Sequence, residues 1–311
     1  MRHEKKLSDC PSSGREPYVW RAEAPDDLPG VHAGLIGSGL RLSEPVHYLL
    51  YAPLRRAETV PFGIEAGKGS HALAITPDRF LLSRNPHCDG QTPQTYSIPF
   101  DRILKLDVGN DLLLGWFSIA FSGDEGVRRV AFFYTATGMN HVLSAVCAYR
   151  TATVPEGMSP GGCGNSFPRA DLWDRTNEAQ TGLLKPVLVE GEHPVRILMS
   201  REVWCQQATG RRPACLSMQG VFIETSGGCL HVVEEAPLRP RMLCFGVNMT
   251  MIPGGVPVEE TIGPHPRDGG LCMIRMKIGT PPAALDHDVV FDRDCEDAAD
   301  GTVSGMRVRV S

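Results

Sequence analysis

The chain has 311 residues, of which 42% are hydrophobic, and a formal net charge of −5. This length accommodates two ordinary domains with well-packed cores, and the acidic balance argues against the broad basic surface of a nucleic-acid-binding protein. The longest apolar run, LLLGWFSIAF at 112–121, is too short to span a bilayer, and the N-terminal residues lack the apolar segment of a signal peptide. We therefore expect a cytoplasmic protein with no transmembrane segment and no nucleic-acid partner.

The first part of the chain predicts β structure. Residues 1–30 are polar and proline-rich, which favours a poorly ordered arm, and GLIGSGL at 34–40 reads as irregular glycine-rich chain. From Val46 onward, short apolar runs recur about every ten residues between turn formers such as those at 76–78, which is typical of an all-β barrel or sandwich. Trp116 and Phe121 share one apolar run, so we expect both in the core.

One amphipathic helix is predicted after these strands, near residues 138–149. Met139, Val142, Leu143 and Val146 recur at the i, i+3, i+4, i+7 spacing of a helix with one apolar face. This face should bury against the mouth of the barrel. The helix would then complete a first module that covers residues 31–150.

A linker rich in Gly, Pro and Ser, with a short helix, is predicted for residues 151–186, and a second module for residues 187–311. LAITPDRFLLS at 73–83 is echoed by LSMQGVFIETS at 216–226, with a shorter turn, which indicates a degenerate internal repeat. The second copy lacks a closing helix, so we expect it to pack closely on the first. The strands that begin at Val195, Leu216, Val221 and Met242 should superpose, in that order, on the strands that begin at Val46, Leu73, Phe80 and Leu104.

The segment GIEAGKGS at 63–70 is similar to a phosphate-binding loop but lacks the required spacing. Only three residues separate Gly63 from Gly67, and Gly69 stands where a hydroxyl residue should hold magnesium. The sequence that follows reads as strand, turn, strand, whereas anion binding by such a loop needs a helix N-terminus. We therefore predict a connection between two strands that does not bind nucleotide.

The strand pair HALAITPDRFLLSR, the run SIPFDRILKLDVG and the helix after them together resemble the pleckstrin-homology-like (PH-like) superfamily, particularly its bacterial and GRAM-type members. The resemblance covers residues 40–150 and, more faintly, 190–311. It implies a mainly β protein of two PH-like barrel or sandwich modules in tandem, the first closed by a C-terminal α-helix. Members of the superfamily commonly bind phosphoinositides or peptides, so the resemblance also implies a protein, a peptide or an anionic lipid headgroup as ligand.

Basic residues lie in the first strand-to-strand loop of each module. The candidate binding residues are Arg55, Arg56 and Lys68 in the first copy and Arg211 and Arg212 in the second. Guanidinium forks bind phosphate oxygens in a bidentate manner, although the full K-x-K/R-x-R arrangement of lipid-binding members is absent. Solvated loop arginines that serve solubility are the alternative interpretation.

The sequence shows no catalytic constellation and no cofactor motif. Its ten cysteines include no C-x-x-C pair and read as core residues. The acidic stretch 286–300 reads as an exposed loop, and a metal ion there stays an open alternative. We therefore expect a non-catalytic binding or scaffold protein without cofactor that recognises a protein or peptide partner. The alternatives are a subunit of a larger assembly and a hydrolase with a site between the modules.

Overall fold

The computed structural model describes residues 18–55, 69–86, 92–111, 114–153, 172–173, 176–189, 191–192, 194–209, 212–237, 246–266, 268–293 and 307–309. Within these ranges, residues 54–55, 201–209, 212–218, 235–237 and 307–309 are described by their backbone alone. Strands dominate this part of the chain. The prediction of a mainly β protein is therefore confirmed.

The first half of the fold contains two β meanders and a helix. Its strands are β2 (Tyr48–Arg55), β3 (Gly69–Ile75), β4 (Arg79–Asn85), β5 (Gln94–Pro99), β6 (Ile103–Asn110), β7 (Leu114–Gly123) and β8 (Gly126–Thr135), and they are followed by helix α2 (Met139–Thr153). Strand β1 (Trp20–Arg21) and helix α1 (Val31–Gly39) precede them. Gly69 begins strand β3, so the segment after Lys68 is a strand and not the helix of a phosphate-binding loop.

The second half again contains two meanders. Helix α3 (Glu178–Leu184) precedes β9 (Pro194–Thr209), β10 (Arg212–Thr225), β11 (Gly228–Pro237), β12 (Gly246–Pro253), β13 (Val258–His265), β14 (Asp268–Thr280) and β15 (Ala283–Asp292), and a short strand, β16 (Arg307–Arg309), follows. A capping box starts α3, because the Asn177 side chain accepts from the Gln180 amide at 2.9 Å while the Gln180 side chain accepts from the Asn177 amide at 3.3 Å.

The strands form three antiparallel sheets, with the orders β1-β2-β3-β4-β5, β8-β7-β6-β12-β11-β10-β9 and β15-β14-β13-β16. The seven-stranded sheet joins the two halves, since β6 pairs with β12 from Asn110 opposite Val247 to Leu106 opposite Met251. Of the predicted barrel or sandwich, the closed barrel is wrong for this reason. Strand β6 pairs with β7 of its own half on one side and with β12 of the other half on its other side, and the described strands form open sheets.

Two apolar cores separate the three sheets. The larger core lies between the five-stranded and seven-stranded sheets and includes Phe117 and Val232. Helix α2 contributes Val142, Leu143 and Val146 to it, all three from the stripe that the sequence predicts. The smaller core lies between the seven-stranded and four-stranded sheets and contains side chains such as those of residues 222, 274 and 289.

Part of the predicted N-terminal arm packs on the first sheet. Residues 20–21 pair with β2, and Val19 and Leu28 are buried. The glycine-rich segment after them is helix α1, not irregular chain. Burial of Ile36 and hydrogen bonds between the two ring nitrogens of His32 and two serine hydroxyls of the sheet, at 2.7 and 2.8 Å, outweigh the low helix propensity of glycine.

All of the segment LSMQGVFIETS except its last residue, Ser226, lies in the single strand β10, whereas the sequence predicts two strands and a turn. Its irregularity is a shift of register beside Gly220, whose amide donates to the Ser200 hydroxyl at 2.8 Å. Leu216 and Val221 therefore belong to one strand, and the predicted register of the repeat is wrong. Met242, the last position of that register, lies outside the described residues.

The start of the predicted acidic loop is strand β15. Its side chains alternate, since Asp286 and Asp288 are exposed while Val289 and Phe291 are buried in the smaller core. The acidic residues thus mark the solvent face of a strand up to Asp292. None of the helices in the described ranges combines the length and the hydropathy that crossing a bilayer requires.

Candidate binding cavity between the two halves

A cavity of about 700 Å³ lies where turns of both halves meet, and we call it the junction cavity. The first half lines it with residues 77–78 of the β3–β4 turn and residues 99–101 between β5 and β6. The second half lines it with residues 226–227 of the β10–β11 turn and residues 253–255 after β12. The last turn of α2, including Tyr149, completes the wall.

Equivalent backbone hydrogen bonds hold these turns in each half. In the first half, the Phe100 amide donates to the Asp78 carbonyl at 2.9 Å. In the second half, the Gly254 amide donates to the Gly227 carbonyl at 3.0 Å. In each half, the donor directly follows the fourth strand of the meander, which is β5 or β12. The acceptor lies in the turn between the second and third strands, which are β3 and β4 or β10 and β11. The cavity therefore lies between corresponding turns of the two halves.

A buried ion pair lies behind the turns of the second half that line the cavity. The guanidinium of Arg150 donates to the Glu192 carboxylate and, at 2.7 Å, to the Val187 carbonyl. The Thr225 hydroxyl donates to the same carboxylate at 2.8 Å. A Cβ on Gly227 would collide with Glu192, so glycine is required beside it. Burial lowers the pKa of Arg150, and the negative charge of Glu192 opposes that shift.

Aromatic rings form the floor of the cavity. Tyr149 packs edge to face with Phe100, with ring centroids 4.8 Å apart, and lies 4.9 Å from Phe80. Tyr149 is only 1% exposed, and its hydroxyl has no hydrogen-bond partner among the described residues. Burial raises the pKa of Tyr149, so this hydroxyl stays protonated at neutral pH. It can both donate to and accept from a ligand.

The rim of the junction cavity carries two carboxylates, Asp78 and Asp101. Asp78 accepts a hydrogen bond from Arg41 at 2.7 Å, but both side chains of this pair are more than half exposed. Asp101 is exposed. The described lining contains no lysine, arginine or histidine, but Arg41 and Arg79 pair with Asp78 from outside it, so Asp101 carries most of the negative charge of the rim.

A smaller cavity of about 480 Å³ lies between the start of α2 and α3. Asp111, Glu178 and Glu234 line it, together with apolar residues of both helices. One oxygen of Glu234 is buried without a hydrogen-bond partner among the described residues. Unlike the junction cavity, this one does not lie between corresponding turns of the two halves.

A row of polar side chains crosses the seven-stranded sheet on the face toward the smaller core. Ser118, Asp107, Thr250 and His231 are direct neighbours on β7, β6, β12 and β11. Thr250 donates to Asp107 at 2.7 Å, and His231 Nδ1 lies 3.0 Å from Nε2 of His287 on β15. The row lies between two packed sheets and lines neither cavity, which indicates a structural role.

The two histidines should make the protein less stable in acid. Burial, with a smaller contribution from the Lys105 ammonium, lowers the pKa of His287 to about 3. Burial also lowers the pKa of His231 well below its ordinary value, and the neighbouring His287 and Lys105 add to that shift. Lys105 itself pairs with Asp107 at 3.2 Å. The unfolded chain therefore binds protons below about pH 6.5 that the folded chain does not bind.

We expect the free energy of unfolding to fall as the pH drops from about 6.5 toward 3, by up to about 1.4 kcal/mol per pH unit for each histidine. Urea denaturation of the wild type and of His287→Phe at several pH values measures this slope. The variant should show a slope smaller by the contribution of about one proton. Equal slopes would show that His287 is not held neutral by the fold.

The predicted basic residues fall at the edge of the described structure. The segments that contain them connect β2 to β3 and β9 to β10, as the sequence predicts for the first loop of each copy. Arg55 is the last residue of β2 and Arg212 is the first residue of β10, and both are described by backbone alone. Arg56, Lys68 and Arg211 lie outside the described residues. Phosphate recognition by these residues stays a prediction.

The residues of the junction cavity are not among those that the sequence indicated as binding residues. The sequence does identify one of its turns, at 76–78, as a turn, but nothing in it brings this turn together with those of the second half. Among the described residues, no three histidine, cysteine or acidic side chains are placed to hold a metal ion. Comparisons with models of protein families, with curated proteins and with solved structures give no match to this chain.

Proposed function

We propose that this chain is a non-catalytic binding protein built of two PH-like modules in tandem, and that it recognises a protein or peptide partner at the junction cavity. The observation that carries the proposal is the pair of equivalent hydrogen bonds, Phe100 to Asp78 and Gly254 to Gly227, on the two sides of the cavity. They place corresponding turns of the two halves around one concave surface, where a partner contacts both halves at once.

The order of the meanders supports the tandem interpretation. In each half a four-stranded meander, β2–β5 or β9–β12, is followed by a three-stranded meander, β6–β8 or β13–β15. In the first half, α2 follows the seventh strand and buries its apolar face in the core, as the closing helix of a PH-like module does. The second half reaches the same number of strands without such a helix in the described residues.

The chemistry of the cavity supports binding rather than catalysis. Nucleophilic catalysis needs a hydroxyl or thiol within hydrogen-bond reach of a base that is itself oriented. The described lining has the hydroxyls of Tyr149, Thr153 and Ser226 but no histidine, lysine or cysteine. The Thr153 hydroxyl donates to the carbonyls of its own helix, at 3.2 Å, which leaves it satisfied. A hydrolase with its site in this cavity is the less favoured alternative.

A bulky residue in the cavity tests the proposed function. Ser226 is exposed in the β10–β11 turn, so Ser226→Trp should fill the cavity and leave the core intact. Thr261→Trp is the matched control, because Thr261 is exposed on β13 and does not line the cavity. Quantitative affinity capture from the native cell with the wild type and both variants would identify a partner that depends on the cavity.

The expected result is a partner that the wild type and Thr261→Trp retain and that Ser226→Trp loses. The same purified partner should then bind in isothermal titration and remain chemically unchanged, as mass spectrometry can show. Retention of every partner by Ser226→Trp would overturn the assignment of the cavity. Conversion of the bound partner would establish an enzyme instead.

A further inference from the structure

We propose that the junction cavity binds an arginine side chain that a basic peptide presents. This inference rests on the proposed function, because it names the chemical class of ligand for the same cavity. Three independent features carry it: the charge of the rim, the aromatic floor and an unsatisfied hydroxyl.

The rim attracts a cation. Asp78 and Asp101 line the cavity, and its described lining includes no basic side chain. Arg41 pairs with Asp78 at 2.7 Å and Arg79 lies 3.9 Å from it, so the attraction for a cation comes mainly from Asp101. Helix α2 ends at Thr153 in the same wall, and the partial negative charge at a helix C-terminus adds to the field.

The floor suits a flat cation. Phe100, which is half-buried, presents aromatic surface at the cavity with the buried Tyr149 ring packed against it, and a guanidinium packs on such surface through cation–π and stacking interactions. An ammonium makes weaker use of this arrangement, because it is more strongly hydrated and lacks a planar face. Arginine is therefore the side chain that fits both the floor and the carboxylate rim.

The Tyr149 hydroxyl requires a polar partner. It is buried in the wall of the cavity and has no hydrogen-bond partner among the described residues, and an unsatisfied buried hydroxyl is costly. Because this oxygen is fully buried, a guanidinium N–H can donate to it once the Tyr149 side chain turns toward the cavity. The cavity volume of about 700 Å³ is large enough for an arginine together with the peptide backbone next to it.

Fluorescence anisotropy with a labelled peptide Gly-Ser-Arg-Gly-Arg-Ser-Gly tests the proposal, with a second peptide in which glutamine replaces both arginines. The arginine peptide should bind at least about tenfold more tightly, and added salt should weaken it. Asp101→Lys should weaken binding of the arginine peptide by at least about tenfold. Tyr149→Phe retains the ring packing and should weaken it by about three- to tenfold.

Asp26→Lys is the matched control, because it makes the same charge change at an exposed position that does not line the cavity. Its affinity should match that of the wild type. Equal binding of the two peptides, or an equal loss in Asp26→Lys and Asp101→Lys, would overturn the proposal, since attraction to the net negative charge would then explain the binding. If free methylguanidine bound with the same affinity as the arginine peptide, the peptide part of the ligand would not contribute, and the proposal of a peptide ligand would be wrong.

The two proposals fail in different ways. If a captured partner depends on Ser226 but no arginine peptide binds, the ligand class is wrong and the proposed function stands. If Ser226→Trp retains every partner and the peptide does not bind, the proposed function itself is wrong.

Discussion

Replacing Trp116 with alanine is expected to lower the free energy of unfolding by about 3–5 kcal/mol. The side chain is fully buried, and its ring lies over Gly109 on the neighbouring strand, where a Cβ would collide with it. Its indole N–H donates to the Asn248 side chain at 2.8 Å, across the strand that joins the halves. The substitution therefore leaves both a void and an unpaired buried amide oxygen.

Urea denaturation followed by circular dichroism measures this loss without depending on tryptophan fluorescence. Trp116→Phe should lose less, because it retains part of the packing and gives up only the hydrogen bond and some volume. Tyr18→Ala serves as the control, since Tyr18 is 51% exposed and its removal should change stability by less than about 0.5 kcal/mol. An unchanged midpoint for Trp116→Ala would show that this side chain does not support the core.

Glu192→Leu should destabilise the protein by about 3–5 kcal/mol, because it leaves the buried guanidinium of Arg150 without its counter-charge. Thr225 and the Val189 amide, which donate to Glu192 at 2.8 Å each, would lose their acceptor as well. The loss should appear as a lower urea midpoint at neutral pH.

The double variant Arg150→Met with Glu192→Leu distinguishes a lost ion pair from lost packing. Because it removes both charges, it should be more stable than the sum of the two single losses predicts, with a coupling of about 0.5–3 kcal/mol. Strict additivity of the two single losses would show that the pair does not stabilise the fold as a unit. Glu23→Leu, at an exposed acidic position, should change stability by less than about 0.5 kcal/mol.

Local sequence patterns predicted the elements that local physics determines. The alternating apolar runs of the first half became strands, and the spacing of Met139, Val142, Leu143 and Val146 gave helix α2 close to its predicted bounds. Helix α1 was missed because contacts with the sheet, such as those of Ile36, stabilise it, and these are not visible in a glycine-rich segment. The strand at Asp286 was missed because the charged residues concealed its alternation.

The candidate site could be predicted only in pieces. Turn-forming residues at 76–78 are evident in the sequence, but their meeting with the turns of the second half at one cavity depends on which strands pair. The pairing of β6 with β12 brings together residues far apart in the chain, and no local pattern specifies it. Tyr149 was assigned to a helix without any indication that its hydroxyl would lack a partner.

The pairing of β6 with β12 also bears on how the chain folds during synthesis. Strand β6 has no partner on one side until residues 246–253 have left the ribosome. During that interval the first half presents an unpaired strand edge, together with apolar surface that the second half later covers. Such edges pair readily with other chains. We therefore expect the central sheet to form only after residues 246–253 have been synthesised, and aggregation to compete with folding most strongly before then.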